Sequence, residues 1–179
     1  MRFLATFLFL LPLCLGTATP SRGQDQWAEH APEGAGYRIE FPGTPKHNQA
    51  DRSTPEGTMR VTAARLEAGG NVYVATSATF PITAYDDPQH ALTEARRKAV
   101  RNMKGKLRTE QNVNVSGAPA RRIVVDVAAK KQVQVGLIVL RANQLFQALV
   151  TVPTGREASA DIDRFLNSLA LTGGTGASQ

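Results

Sequence analysis

The chain has 179 residues, with 21 lysines and arginines against 15 aspartates and glutamates, for a formal net charge of +6. That length suits one ordinary domain, and a charge so small and so dispersed does not argue for nucleic acid. A single cysteine excludes a disulfide framework and a thiolate metal cluster.

The N-terminus speaks to compartment. Arg2 precedes an almost unbroken apolar run from Phe3 to Leu15. The run has the length of a signal-peptide core and falls short of the about 20 residues needed to cross a bilayer. Small residues follow at Gly16-Thr17-Ala18 and Ser21-Arg22-Gly23. Residues 1–23 are therefore read as a signal peptide, and the protein as exported, periplasmic or secreted. Two alternatives are a retained membrane anchor and a lipidated cysteine. No stop-transfer pattern supports the first. For the second, Leu11-Pro12-Leu13-Cys14 has the leucine and cysteine of a bacterial lipobox, but bulky Leu13 stands where a small residue is expected. Cleavage removes Cys14, the only thiol, together with Arg2 and Arg22, and leaves a mildly positive mature chain with no transmembrane segment.

Residues 24–36, polar and carrying Pro32, Gly34 and Gly36, read as a leader. Tyr37, Ile39 and Phe41 alternate with Arg38 and Glu40, a strand stopped by Pro42-Gly43-Thr44-Pro45. His47 to Gly57 is polar and reads as a loop. Met59, Val61 and Ala63 mark a second strand, Gly69-Gly70-Asn71 a tight turn, and Val72 to Phe80 its antiparallel partner. Asp87-Pro88 is a helix start, a carboxylate cap followed by proline at the first helical position. Leu92, Ala95, Ala99, Val100 and Met103 then share one face, and Gly105 ends the helix. Four strands follow: Leu107 to Val113, Ala120 to Ala128, Gln132 to Arg141 and Leu145 to Val152, joined by turns short enough to make neighbours antiparallel. A last helix is expected from Thr154, with Glu157 at capping-box spacing and Ile162, Phe165, Leu166 and Leu169 as its apolar stripe. Residues 172–179 form a glycine-rich tail with nothing to bury. The predicted architecture is α+β: an antiparallel sheet of six to seven strands flanked by two amphipathic helices, in the order βββαββββα, over residues 37–171.

Four stretches in this order carry a resemblance: Tyr37-Arg38-Ile39-Glu40-Phe41-Pro42-Gly43-Thr44-Pro45, the turn Gly117-Ala118-Pro119-Ala120, Asn143-Gln144-Leu145-Phe146-Gln147-Ala148-Leu149-Val150, and Arg164-Phe165-Leu166-Asn167-Ser168-Leu169-Ala170-Leu171. From Tyr37 to Leu171 the chain resembles the PsbP-like group of exported bacterial domains, relatives in fold of the PsbP photosystem subunit and the Ran-binding Mog proteins. The resemblance implies an antiparallel sheet between helices. It implies no active site and carries over no catalytic residues. Leu169 stands where relatives often have an aromatic residue, and no photosystem setting accompanies the sequence, so an oxygen-evolving role is not implied.

Chemistry was sought along the chain without result. His30, His47 and His90 are scattered and none stands near a second ligand at metal-binding spacing. Asp86 and Asp87 are adjacent, so their side chains diverge, and helix capping accounts for Asp87. Ser116 lacks the nucleophile-elbow pattern and belongs to a turn. Asn114-Val115-Ser116 matches a glycosylation sequon, without meaning in a bacterium. No cofactor or metal is expected.

One patch remains. Arg97, Arg101 and Lys104 recur at helical spacing, with Arg96, Lys98, Lys106 and Arg108 nearby, and no acid follows Glu94 until Glu110. A solvated helix face explains such a run; so does a docking patch for an envelope protein or an anionic surface. Few aromatic residues interleave it, which speaks against single-stranded nucleic acid. The expected function is a non-enzymatic binding or accessory protein of the cell envelope. The alternatives are an enzyme whose site is hidden by sequence order and a structural or stress-related periplasmic component.

Overall fold

The computed structural model describes residues 27–81 and 85–173. The expected signal peptide, residues 1–23 with Cys14, and the expected tail from residue 174 on lie outside the described residues.

Ten strands and two helices occur in the order β1 (Ala28–His30), β2 (Tyr37–Phe41), β3 (Lys46–Thr54), β4 (Gly57–Ala68), β5 (Asn71–Thr79), α1 (Pro88–Met103), β6 (Lys106–Val115), β7 (Ala118–Val127), β8 (Gln132–Arg141), β9 (Gln144–Pro153), α2 (Ala160–Asn167) and β10 (Ala170–Leu171). Seven strands form one antiparallel sheet in the order β3-β4-β5-β9-β8-β7-β6. It consists of two meanders whose junction is the pairing of β5 with β9, from Val72 opposite Thr151 to Thr79 opposite Gln144. Tight turns enforce the meanders. Ala68 and Asn71 are paired across Gly69 and Gly70, both at positive φ, the conformation a two-residue hairpin requires.

The sheet is covered unequally on its two faces. On one face, Phe146, Ala148, Val150, Leu137 and Val139 meet Ile162, Phe165, Leu166 and Leu169 of the α2 segment. A small second sheet, β1-β2-β10, closes this core with Tyr37, Ile39 and Phe41. The Phe165 ring stands edge-on to Phe41 and Tyr73, with centroids 5.0 and 5.2 Å apart. On the other face α1 lies mainly across β7 and β8, burying Leu92 against Ile123, Val125, Ile138 and Leu140. β8 is thus buried on both sides, which is why its sequence reads as a continuous apolar run.

The architecture is the expected α+β arrangement, with several corrections of detail. His47 to Gly57 is not a loop: Lys46–Thr54 pairs along its whole length with β4. Eight of its nine residues are exposed, so as an edge strand it has no apolar face to betray it. Part of the 24–36 segment joins the fold, with Ala28–His30 pairing with Phe41 to Ile39 and Ala35 buried. β2, expected in the main sheet, lies in the small one. The last helix begins at Ala160, not Thr154, and Ser159 caps it by accepting from the Asp161 amide. Glu157 accepts instead from the Gly155 amide at 2.7 Å and pairs with Arg108.

Candidate functional site

α1 is fixed at both ends by local chemistry. The Asp87 carboxylate accepts from the amides of Gln89 and His90 at 2.9 and 3.0 Å, and Pro88 opens the helix. At the other end Lys104 turns left-handed (φ 51°), and the Gly105 amide returns to the Val100 carbonyl. Gly105 is required by close approach, since a Cβ there would lie 2.5 Å from Val125 Cγ1 and 2.9 Å from the Asp126 carbonyl oxygen.

The helix is so placed that its cations separate into two classes. Arg96 points inward and shares Glu110 with Arg121, each at 3.2 Å, while Arg121 also donates to Gln89 Oε1 at 2.7 Å. This cluster ties α1 to β6 and β7. Arg97 is exposed but paired with Glu94 at 2.6 Å. That pair corrects the expectation that nothing neutralises Arg97 locally: Glu94 does so from one turn earlier. Arg108 is held between Asp126 and Glu157, which keep its guanidinium fully charged and hold both carboxyls below their ordinary range. Lys98, Arg101 and Lys104 form the second class. They are exposed and have no ion pair among the described residues.

Beside Lys98 and Arg101 the sheet is partly uncovered. Rows of side chains run across the same face as Ile138 and Leu140, from Leu140 through Leu145 and Ala78 to Val61, and from Ile138 through Gln147 and Thr76 to Ala63. α1 covers chiefly the β7–β8 end of those rows. Two connected concavities, of about 540 and 410 Å³, open along the flank of the helix. Phe80, Ala95, Lys98 and Leu145 line both. Arg101 stands at the rim of the larger with Asp86, Asp87, His90 and Glu94; the smaller has Lys98 as its only charge.

The structure also joins two histidines that lie far apart as elements. The rings of His30 on β1 and His47 on β3 are 5.6 Å apart. Burial, and secondly the neighbouring His47, push the His30 imidazole below its ordinary pKa, and its Nε2 is buried without a hydrogen-bond partner. Sequence spacing concealed this contact, because the two residues meet through separate sheets. Among the described residues no group of three histidine, cysteine or acidic side chains is gathered as a metal site would require. His90 stays exposed on the first turn of α1. Ser116 sits in its hairpin turn at φ 51° and its Oγ accepts from the Leu171 amide at 3.1 Å, a tether for β10. No helix among the described residues is long and apolar enough to cross a membrane.

No family model matches the chain, and no curated protein matches it. Among solved structures, the solution structure of cyanobacterial PsbP (CyanoP) from Synechocystis sp. PCC 6803 superposes with a TM-score of 0.56 at 10% identity, over 88% of this chain and 98% of that one. A Pseudomonas aeruginosa protein of unknown function aligns over 76% of this chain and 86% of that one at 14% identity, but its TM-score of 0.33 is too low to bear on the fold. Ten per cent identity transfers no residue roles; what the extent of the first superposition establishes is that this chain has a PsbP-like fold.

Proposed function

We propose that this chain is a non-enzymatic binding or accessory protein of the cell envelope, engaging an anionic surface through the outer side of α1. The observation that carries this reading is the unpaired state of Lys98, Arg101 and Lys104 beside a helix whose other arginines are all paired. Unpaired, exposed cations on one side of a rigid helix raise the local potential and attract anions. Each cation close to an anionic lipid surface contributes about 1 kcal/mol. The double variant Arg101→Glu/Lys104→Glu should therefore lower affinity for phosphatidylglycerol vesicles by at least about thirtyfold, because two attractions become repulsions. Sedimentation with vesicles, repeated as salt rises through about 0.1 M where the screening length is about 10 Å, gives the measurement. A variant that binds as tightly as the parent, with the same salt dependence, sinks the proposal. Export rests on the Phe3–Leu15 segment; N-terminal sequencing of the protein from its cell should start between Thr19 and Gln26, and an intact Met1 contradicts it.

A further inference from the structure

We infer that the groove between α1 and the β4-β5-β9 half of the sheet holds one long-chain fatty acid, its tail along the apolar floor and its carboxylate against Lys98 and Arg101. The anion-binding role of these cations rests on the reading above; the floor is a separate observation.

An antiparallel sheet with one face in water normally turns polar side chains outward. Here that alternation fails along one row of the sheet. Tyr73, Ala75, Phe146 and Ala148 fill the core on the α2 side of β5 and β9. Yet Val61, Ala78, Leu145 and Leu149 on the opposite side are apolar as well, and only partly buried. Helix side chains Ala95 and Ala99, small enough to leave space between helix and sheet, and Met103 add the facing wall. The floor ends at β3, whose residues are polar and exposed. Thr76 and Gln147 interrupt this floor, but the row from Leu145 through Ala78 to Val61 is apolar along its length and stays partly exposed.

Charge selects the occupant. Lys98 lines both concavities, and it and Arg101 have no ion pair among the described residues. The acids at the same rim are engaged: Glu94 by Arg97, and Asp87 by the two amides it caps. Asp86 stands at the far end, before the helix begins. A ligand with one apolar tail and one negative head matches cations placed midway along an apolar trough. The volumes fall within the range of small-molecule sites, roughly 300–1,000 Å³. The trough follows α1 from His90 to Met103, about 20 Å at 1.5 Å per residue, so a long acyl tail whose head sits at Lys98 bends to lie within it.

The test is titration of the full chain with hexadecanoate, read by displacement of a fluorescent fatty acid. One site per chain is expected, with affinity falling about tenfold for every two methylenes removed. Lys98→Glu should weaken binding about tenfold or more, since a charged hydrogen bond becomes a repulsion. Two floor variants act independently: Ala99→Phe fills the trough from the helix and Ala78→Gln makes it polar from the sheet. Thermal melting identifies whichever still folds, and that variant should lose hexadecanoate while keeping vesicle binding. Hexadecanol binding as tightly as hexadecanoate, insensitivity to chain length, or full affinity in a folded floor variant overturns the inference. So does a dimer, or an apolar helical peptide, that occupies the groove in preference to the fatty acid. A parent chain that takes up hexadecanoate as expected but does not bind vesicles refutes the surface-docking reading instead and leaves this one standing.

Discussion

Replacing Phe165 by alanine should remove more stability than any other single truncation on α2. Phe165 is 0% exposed and its ring is edge-on to both Phe41 and Tyr73. Truncating a buried phenylalanine costs about 3–5 kcal/mol, transfer and cavity together. Each edge-to-face pair contributes about 0.5–1.5 kcal/mol beyond buried area. Two such pairs are lost at once, and their partners come from β2 and β5, elements that cannot both shift to close the hole. The loss should therefore lie near the upper end, about 5 kcal/mol, comparable to the whole stability of a marginal domain. For a chain of this size, about 2–4 °C of melting temperature accompanies each kcal/mol, so a drop of about 10–20 °C is expected by circular dichroism. Arg164→Ala serves as control: it removes a half-exposed ion pair with Glu40 and a cation–π contact over Trp27 at 4.6 Å, together worth about 1–2 kcal/mol. If Phe165→Ala lowers stability by no more than the control does, α2 is not anchored as described.

Three further outcomes follow from local geometry. Asp87→Ala removes the acceptor for two amides and should cost about 1 kcal/mol in thermal unfolding, with Asp87→Asn retaining most of it. Gly136→Ala pushes a Cβ into the Leu149 side chain and to within 3.0 Å of the Ala148 carbonyl oxygen, which should cost about 1–3 kcal/mol; Leu149→Ala should relieve it, giving a coupling above about 0.5 kcal/mol in a double-mutant cycle. His30 is disfavoured as a cation in the folded state, chiefly by burial. Its folded pKa lies below the ordinary value of about 6.5, so the unfolded chain takes up the proton first and stability falls as pH drops below that value through the folded pKa. Urea midpoints at stepped pH should show this decline, and His30→Gln should flatten it; an equal slope in both proteins refutes the assignment.

What the sequence disclosed follows from where period and burial coincide. β7, β8 and β9 announce themselves because residues such as Ile123, Val125, Leu137 and Val150 are buried in alternation or in unbroken runs. α1 is legible because Asp87-Pro88 sits directly before a stripe of helical period. β3 is not, since an exposed edge strand takes its order from the backbone of β4, and backbone pairing leaves no mark on side-chain polarity. The start of α2 misled for a different reason. Thr154 and Glu157 have capping-box spacing, but Gly155 at φ 90° turns the chain there, and Glu157 goes to Arg108. Alternation in β2 says strand without saying which sheet, so Tyr37–Phe41 could not be placed until its partners Ala28–His30 and Ala170–Leu171 were known.

The candidate site shows the same limit in electrostatic form. Arg96, Arg97 and Lys98 are consecutive, and by composition they are one basic cluster. On a helix each successive residue turns by about a quarter of the circumference, so the three face different surroundings. Arg96 reaches Glu110 on β6, Arg97 folds back to Glu94, and Lys98 stays free over the groove. Arg101 belongs with Lys98 because three residues bring it back to the same side. A count of charges therefore overstates the field of α1 and misplaces it. Two of the three cations still able to take a partner, Lys98 and Arg101, stand on the flank where the sheet is partly bare, and that coincidence of unpaired charge with exposed apolar surface is what distinguishes this side of α1 from an ordinary solvated helix.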